Sequence, residues 1–340
     1  EMIINVVGAR PNFMKMAPVI KALNKLELPN IVVHTGQHYT SFMSTDILND
    51  LKISEPDYFL NIRGGSHAMQ TAKIMIEFEK ICININPKIV IVAGDVNSTL
   101  ACALVASKLK IPVAHVESGL RSFDNTMPEE INRVLTDHIS DFLFTTEESA
   151  NLNLSREGIN RASIHFVGNC MIDSLKTFLP SALQSKSWEN FGLKGNDYVL
   201  VTIHRPSNVD NKKSLQKIVK VINHMSEKFK IIFPIHPRTK NSIDLHGMKF
   251  SETVICTQPL AYIDFLGLMA KSVIVVTDSG GIQEEAPSLG KPVLLMRDTT
   301  ERPEAVEAGT VRLVGTCEQT IVDTVSSILM SDKEYKTIAE

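Results

Sequence analysis

The chain has 340 residues, of which 44 % are hydrophobic and 21 % are charged. This balance excludes a largely disordered chain, and at roughly 150 residues per domain the length predicts about two domains. The 35 Lys and Arg residues against 38 Asp and Glu residues leave a net charge of −3. The composition therefore lacks the basic excess that is typical of a nucleic-acid-binding domain, and we expect no nucleic-acid partner.

The predicted elements alternate between short apolar strands and amphipathic helices along the whole chain. In chain order, strands are predicted at 2–7, 31–35, 88–93, 112–117, 141–146 and 163–167, and then at 198–203, 230–235, 253–257, 273–277, 292–296 and 311–314. Helices are predicted between them, for example at 98–109, 129–140, 211–229 and 282–289. This alternation predicts an α/β protein with two Rossmann-like, doubly wound parallel sheets.

The domain boundary is placed by a change in composition. The stretch 180–195 is rich in loop-forming residues and holds Trp188, the only tryptophan. Since the helix after Gly168 can already lead into the second domain, we expect domains at 1–169 and 170–340. The first is expected to carry most of the catalytic carboxylates.

The cysteines and the apolar runs bear on the compartment. The five cysteines are widely spaced and contain no CxxC pair, which argues against a disulfide framework and a zinc-thiolate site. The chain opens on a strand-like run rather than a signal peptide, and no apolar run approaches the ~18 residues of a membrane helix. We expect a cytoplasmic protein without a membrane segment.

Ligands of open parallel sheets bind beyond the carboxyl ends of the strands, so the residues that follow each strand are the site candidates. After the first strand comes a Gly8–Asn12 turn, with Arg10 and, one helical turn later, Lys15. The helix start and the two cations favour an anion, although a loop with solvated charges is an equal reading. No GxGxxG or Walker motif occurs, so no nicotinamide cofactor is expected.

Three carboxylates follow later strands of the first half. Asp95 comes at a strand end before a helix, where an ordinary helix cap is the alternative reading. His115 and Glu117 share one strand face, and this pair lacks a third ligand at metal-binding spacing, so no metal is predicted. If Asp95, Glu117 and Glu129 converge at one sheet edge, they raise one another's pKa values, which suits proton transfer.

The second half supplies an anion-binding set at the ends of its strands. His204-Arg205 follows one strand and His236 follows the next, a pairing that favours an anion site over two structural histidines. The segment 277–286 reads as strand, Ser279-Gly280-Gly281 turn and helix, and such a turn cradles a phosphate. Glu285 is placed to accept ribose hydroxyls, and Arg302 follows a further strand.

These residues lie in motifs that resemble one family, the non-hydrolysing UDP-N-acetylglucosamine 2-epimerases. The motifs are VVGARPNFMKMAPVI, TGQHY, GDVNSTLA, HVESGLRS, MPEEINR, VGNCMIDSL, TIHRPSN, PIHPR and TDSGGIQEEAPSLGKPVLLMRDTTERPEA. The resemblance covers nearly the whole chain. It implies the GT-B architecture, two Rossmann-like domains that face a cleft, with a last helix that returns to the first domain.

The resemblance also implies a homodimer without a cofactor that converts UDP-GlcNAc reversibly to UDP-ManNAc, a sugar donor for surface polysaccharide or glycan synthesis. UDP leaves carbon-1 as the carbon-2 proton is removed, and it adds back to 2-acetamidoglucal. By position, the implied catalytic residues are Lys15, Asp95, Glu117, Glu129 and His204. The implied UDP-sugar contacts are Arg10, Arg205, His236, Ser279, Gly280, Gly281, Glu285 and Arg302. The choice of Glu129 over Glu130 comes from the family motif alone.

Three alternatives stay open on the sequence. A hydrolysing 2-epimerase would share the fold and release free ManNAc with UDP. A GT-B glycosyltransferase would need an acceptor and would not epimerise its donor. A nucleotide-sugar-binding regulator would need the UDP contacts of the second half but none of the carboxylates of the first.

Overall fold

The computed structural model describes residues 2–37 and 55–330 and divides the chain into two compact units, Glu1–Ser174 and Leu175–Glu340. Each unit is a parallel β-sheet whose strands are linked by helices. In this described part, no helix is both long and apolar enough to cross a membrane. His38 and Tyr39 of the TGQHY motif lie outside the described residues.

The first unit contains a seven-stranded sheet in the order β3-β2-β1-β4-β5-β6-β7, and all its pairings are parallel. Its strands are β1 (Ile3–Val7), β2 (Asn30–His34), β3 (Tyr58–Phe59), β4 (Ile89–Ala93), β5 (Val113–Ser118), β6 (Phe142–Thr145) and β7 (Ile164–Phe166). Its helices are α1 (Arg10–Lys25), α2 (His67–Ile85), α3 (Asn97–Lys108), α4 (Pro128–Ile139) and α5 (Glu148–Arg156), with a 3₁₀ turn at Arg161–Ser163. Helix α6 (Cys170–Ser185) begins in this unit.

The second unit contains a six-stranded parallel sheet in the order β10-β9-β8-β11-β12-β13. Its strands are β8 (Tyr198–Thr202), β9 (Lys230–Pro234), β10 (Val254–Thr257), β11 (Ile274–Thr277), β12 (Val293–Leu295) and β13 (Val311–Leu313). Its helices are α7 (Pro206–Val209), α8 (Lys212–Ser226), α9 (Pro237–Leu245), α10 (Tyr262–Lys271), α11 (Ile282–Ser288), α12 (Pro303–Glu307) and α13 (Glu318–Met330), with a 3₁₀ helix at Ser187–Phe191.

The apolar runs form the strands because helices cover both faces of each sheet. Every residue of β8 is buried, which is why this strand shows no alternation of apolar and polar residues. Helix α8 is amphipathic instead. Asn211 caps its first turn by accepting from the backbone N–H groups of Lys213 and Ser214, and Leu215 and Ile222 lie on its buried face. The predicted doubly wound α/β class is confirmed in both units.

Two local features differ from the sequence prediction. Strand β3 has two residues, both exposed, so it lacks the apolar run by which the other strands are found. The stretch 180–195, predicted to be loop-rich, is mostly helical, because α6 continues to Ser185 and a 3₁₀ helix follows. Pro180 lies inside α6 at an exposed position, and the helix continues past it.

The strand order places the candidate residues. It reverses between β1 and β4 in the first sheet and between β8 and β11 in the second. At such a reversal the connections leave in opposite directions and open a crevice beyond the carboxyl ends of the strands. The segments after these four strands begin at Gly8, Gly94, Ile203 and Asp278. Each of these four segments contains residues that the sequence predicts to be in the site.

Candidate active site

The turn after β1 is fastened to the end of β4 by one asparagine. The Asn12 side-chain oxygen accepts from the backbone N–H groups of Gly8 (3.2 Å) and Ala9 (3.0 Å), and its Nδ2 donates to the Ala93 carbonyl at 2.8 Å. A Cβ at Gly8 would collide with the side chain of Ser98, so only glycine fits there. The start of α1, where Arg10 is the first residue, is thereby fixed against β4.

A buried ion pair lies at the carboxyl end of β5. Lys15 Nζ is 2.5 Å from Glu117 Oε1, and both side chains are less than a tenth exposed. Glu117 has a φ of +66° and sits at a break in the register between β5 and β6. A non-glycine residue in this region is strained by about 1–3 kcal/mol, and such strain is common where a side chain is aimed at a site. The structure thus brings together two of the predicted catalytic residues.

Asp95 follows β4 and is held by the first turns of α4. Arg133 Nε donates to Asp95 Oδ2 at 3.1 Å, and Asn132 Nδ2 donates to the Asp95 carbonyl at 2.8 Å. The Asp95 carboxylate keeps 28 % of its side-chain surface exposed, so it remains accessible to a ligand. Neither Asn132 nor Arg133 was predicted as a site residue, although both belong to the MPEEINR motif.

The neighbouring Glu129 and Glu130 have different environments. Glu130 is 2 % exposed, accepts from the backbone N–H groups of Ser122 and Phe123, and pairs with Arg133 Nη1 at 2.5 Å. Glu129 is half-buried, and its side chain has no hydrogen bond to any residue in the described part of the chain. Glu130 is therefore fully engaged within the protein, whereas Glu129 is available to a ligand. This contrast supports the choice of Glu129, which stays a prediction.

In the second unit, a buried carboxylate organises the segment after β8. Asp278 is fully buried and accepts from the backbone N–H groups of His204 and Arg205 and from Asn208 Nδ2. Its Oδ1 lies 3.2 Å from His204 Nδ1, whose side chain is 40 % exposed. Burial raises the pKa of Asp278, but the hydrogen bond and charge of His204, together with Asn208, outweigh it and lower the pKa. Asp278 thus orients His204, a role that the sequence reasoning did not assign.

His236 lies next to His204 but also has a structural role. The two rings are 5.4 Å apart between centroids. His236 is exposed, and its Nδ1 accepts from the backbone N–H of Arg238 at 3.1 Å, which caps α9. The histidine pair found in the sequence is therefore a neighbouring pair in the structure. The UDP contact predicted for His236 stays a prediction.

The turn between β11 and α11 is surrounded by buried charges. A Cβ at Gly280 would lie 2.9 Å from Glu301 Oε1, so a larger residue would have to displace that carboxylate. Glu301 in turn pairs with Arg297 at 2.9 Å and accepts from Gln283 Nε2 at 3.2 Å. These contacts hold the Glu301 carboxylate beside Gly280.

The two remaining predicted ligands of the second unit are buried near this turn. Arg302 is 2 % exposed and its Nη2 lies 2.8 Å from Glu284 Oε1, while Glu285 on α11 is 7 % exposed. A bound diphosphate would compete with Glu284 for Arg302. The predicted contacts of Arg302, Glu285 and the 279–281 turn with UDP stay predictions.

No group of three His, Cys, Asp or Glu side chains in residues 2–37 and 55–330 is arranged to hold a metal ion. The predicted residues fall into two sets, one at the carboxyl edge of each sheet. Lys15, Asp95, Glu117 and Glu129 belong to the first set. His204, Arg205, His236, the 279–281 turn, Glu285 and Arg302 belong to the second.

Two Rossmann-like parallel-sheet units in one chain, each with charged side chains beyond its strand-order reversal, define the GT-B class of architecture. The sequence profile of UDP-N-acetylglucosamine 2-epimerase matches residues 21–340. The UDP-N-acetylglucosamine 2-epimerase of Methanocaldococcus jannaschii is 44 % identical over 340 residues, which cover 97 % of this chain and 93 % of that protein. The chain belongs to the UDP-N-acetylglucosamine 2-epimerase family.

A second relative and a solved structure are similarly close. The UDP-2,3-diacetamido-2,3-dideoxy-D-glucuronate 2-epimerase of Pseudomonas aeruginosa is 42 % identical, with 96 % of this chain and 92 % of that protein covered. The crystal structure of the M. jannaschii UDP-GlcNAc 2-epimerase in complex with UDP-GlcNAc and UDP superposes with a TM-score of 0.93 at 42 % identity. It covers 99 % of this chain and 98 % of that chain.

Proposed function

We propose that this chain interconverts UDP-GlcNAc and UDP-ManNAc by elimination and re-addition of UDP. A base removes the carbon-2 proton while the bond from carbon-1 to the phosphate oxygen breaks, which gives 2-acetamidoglucal and UDP. Return of a proton to the opposite face of carbon-2 and attack of UDP on carbon-1 give the epimer. No oxidant or cofactor is needed, because the electron pair of the broken C–H bond forms the double bond of the glucal.

The observation that carries this proposal is the set of carboxylates in the first unit. Asp95 and Glu129 are both partly exposed, so each is accessible to a sugar. Glu117 lies against Lys15 in a buried pair. Proton removal on one face and delivery on the other require two groups that hold different protonation states, and partly buried carboxylates suit this task. A regulator that only binds the nucleotide would need none of them.

The second unit supplies groups suited to a leaving diphosphate. His204, oriented by Asp278, and Arg205 follow one strand at the reversal, and the 279–281 turn follows the other. Positive charge and N–H donors aimed at a leaving phosphate stabilise the charge that develops as the bond breaks. This unit therefore serves as the proposed UDP site.

The sugar itself is the point on which the relatives differ. The P. aeruginosa relative is named for a diacetamido-glucuronate sugar and is about as similar as the M. jannaschii relative named for UDP-GlcNAc. We infer plain UDP-GlcNAc as the substrate and keep the diacetamido-glucuronate as the second candidate. The two differ at carbon-3 and by a carboxylate at carbon-6, so the enzyme would discriminate between them by charge.

Incubation with each nucleotide sugar, followed by proton NMR of the anomeric signals, tests the proposal. UDP-ManNAc formed from UDP-GlcNAc is the expected result, and Glu117→Gln should abolish it while the exposed Glu79→Gln on α2 should not. Release of free ManNAc with UDP would instead establish the hydrolysing reaction. Turnover of the diacetamido-glucuronate alone would replace the substrate.

We further propose a cytoplasmic homodimer. Helix α2 exposes Met69, Ile76 and Ile83, which recur every seven residues and so form one apolar stripe. The family resemblance implies a homodimer, and we propose that a second copy of the chain covers this stripe. The free, exposed Cys256 and Cys317 fit a reducing compartment.

A further inference from the structure

His115 is buried at the centre of the first unit with both ring nitrogens facing acceptors. Its side chain is 0 % exposed. Nδ1 lies 2.7 Å from Asp137 Oδ1, and Nε2 lies 2.8 Å from the carbonyl oxygen of Gly94. A carbonyl oxygen can only accept, so Nε2 must carry a hydrogen.

Nδ1 must also carry a hydrogen, because Asp137 is an ionised acceptor. The other oxygen of Asp137 accepts from the Gly119 N–H at 3.0 Å and from Arg121 Nη1 at 2.7 Å. A ring that donates from both nitrogens is an imidazolium.

The two partners of His115 belong to the elements that carry the catalytic carboxylates. Gly94 precedes Asp95 and has a φ of +67°, and a Cβ on it would lie 3.2 Å from Lys15 Nζ and 3.7 Å from Glu117 Oε1. The Gly94 peptide therefore lies directly beside the Lys15–Glu117 pair. Asp137 lies on α4, the helix that carries Glu129 in its first turn, and His115 itself lies on β5 two residues before Glu117.

We propose that His115 is a positioning residue whose two ring N–H groups hold the Gly94 peptide, and with it Asp95, against the Lys15–Glu117 pair. It touches no substrate. Its bond to Asp137 fixes the ring and its charge, and its bond to Gly94 fixes the loop. This role rests on the proposed epimerase function, since it concerns the placement of that reaction's carboxylates.

The charge can be measured without turnover, so this test can fail independently of the proposed function. Nitrogen-15 NMR of the His115 ring, assigned through the backbone signals of His115 itself, should show a hydrogen on both ring nitrogens at the pH of the rate measurements. One protonated and one bare nitrogen would overturn the proposal.

Two substitutions separate positioning from stability. His115→Gln places an amide N–H near the position of Nε2 and keeps the bond to Gly94, whereas His115→Asn keeps only the bond to Asp137. We expect His115→Asn to lower kcat about 10²-fold, because Asp95 is no longer held in place through Gly94. The affinity for UDP should be unchanged. His115→Gln should lose several-fold less. His165→Asn, on the exposed edge strand β7, is the matched control.

A purely structural role would give a different pattern. Each variant breaks one buried hydrogen bond, so both variants should melt at a lower temperature than the wild type. If His115 were only structural, the two variants would have the same kcat per folded molecule. Equal kcat values would overturn the proposal. If neither variant folds, the NMR measurement on the unmodified chain decides it alone. A wild-type protein that shows the imidazolium but no epimerisation would refute the proposed function and not the protonation.

Discussion

The buried Lys15–Glu117 pair gives the sharpest separation of stability from catalysis. Lys15→Met removes the cation that pairs with Glu117, and Glu117→Gln removes the carboxylate that pairs with Lys15. Both side chains are under a tenth exposed, so solvent screens little of the loss. Breaking such a pair from one side costs about 3–5 kcal/mol. At about 2–4 °C per kcal/mol for a domain of this size, each variant should melt roughly 6–20 °C lower.

The double variant should recover part of this loss. The double variant removes both charges of the pair, and neighbouring groups of this kind show coupling energies of about 0.5–3 kcal/mol. Catalysis should not recover, because the carboxylate is absent from the site. Calorimetry of the four proteins, together with epimerase rates, measures both quantities. Additive losses of stability would show that the two charges are not coupled. Turnover restored in the double variant would show that the Glu117 carboxylate is not needed for catalysis.

Four further outcomes follow from the described contacts. Glu129→Gln should lower kcat by ~10²-fold with little change in melting temperature, whereas Glu130→Gln should mainly lower the melting temperature; equal effects on both quantities would contradict the distinction. Burial lowers the pKa of His34 to about 4, so the unfolded chain protonates first as the pH falls below about 6.5. The free energy of unfolding should therefore be constant above that pH and decrease by about 3 kcal/mol toward pH 4. Urea unfolding at several pH values should show a smaller decrease for His34→Asn. Asp278→Asn should lower kcat without unfolding the protein, as checked by rates and circular dichroism. Ile76→Glu should shift the sedimentation of a dimer to that of a monomer, and an unchanged dimer would locate the interface elsewhere.

The fold was largely predictable because its signals are local. Covered strands are continuous apolar runs, and helices such as α8 carry both a cap and a buried stripe. The exceptions have physical reasons. Strand β3 is too short and too exposed to show an apolar run. Pro180 lies inside α6 at an exposed position, and the helix continues past it.

The sequence predicts which strand ends carry the candidate site residues. It does not predict the hydrogen bonds and ion pairs between them. Asp278 belongs to the motif that was interpreted for its Ser-Gly-Gly turn. Its contact with His204, 74 residues away in the sequence, is seen only in the structure. His115 and Asp137 are 22 residues apart, and spacing along the chain does not reveal that pairing. Glu129 and Glu130 are adjacent in sequence, and local rules do not separate them. The burial of Glu130 against Ser122 and Phe123 does.

The most direct measurement is proton NMR of the protein with UDP-GlcNAc in heavy water. We expect UDP-ManNAc that carries deuterium at carbon-2, together with deuterium exchanged into the remaining UDP-GlcNAc, because the carbon-2 proton is lost to a carboxylate and replaced from solvent. Epimerisation that retains the original hydrogen at carbon-2 would rule out the proposed elimination, because the carbon-2 proton would not have been exchanged through a carboxylate.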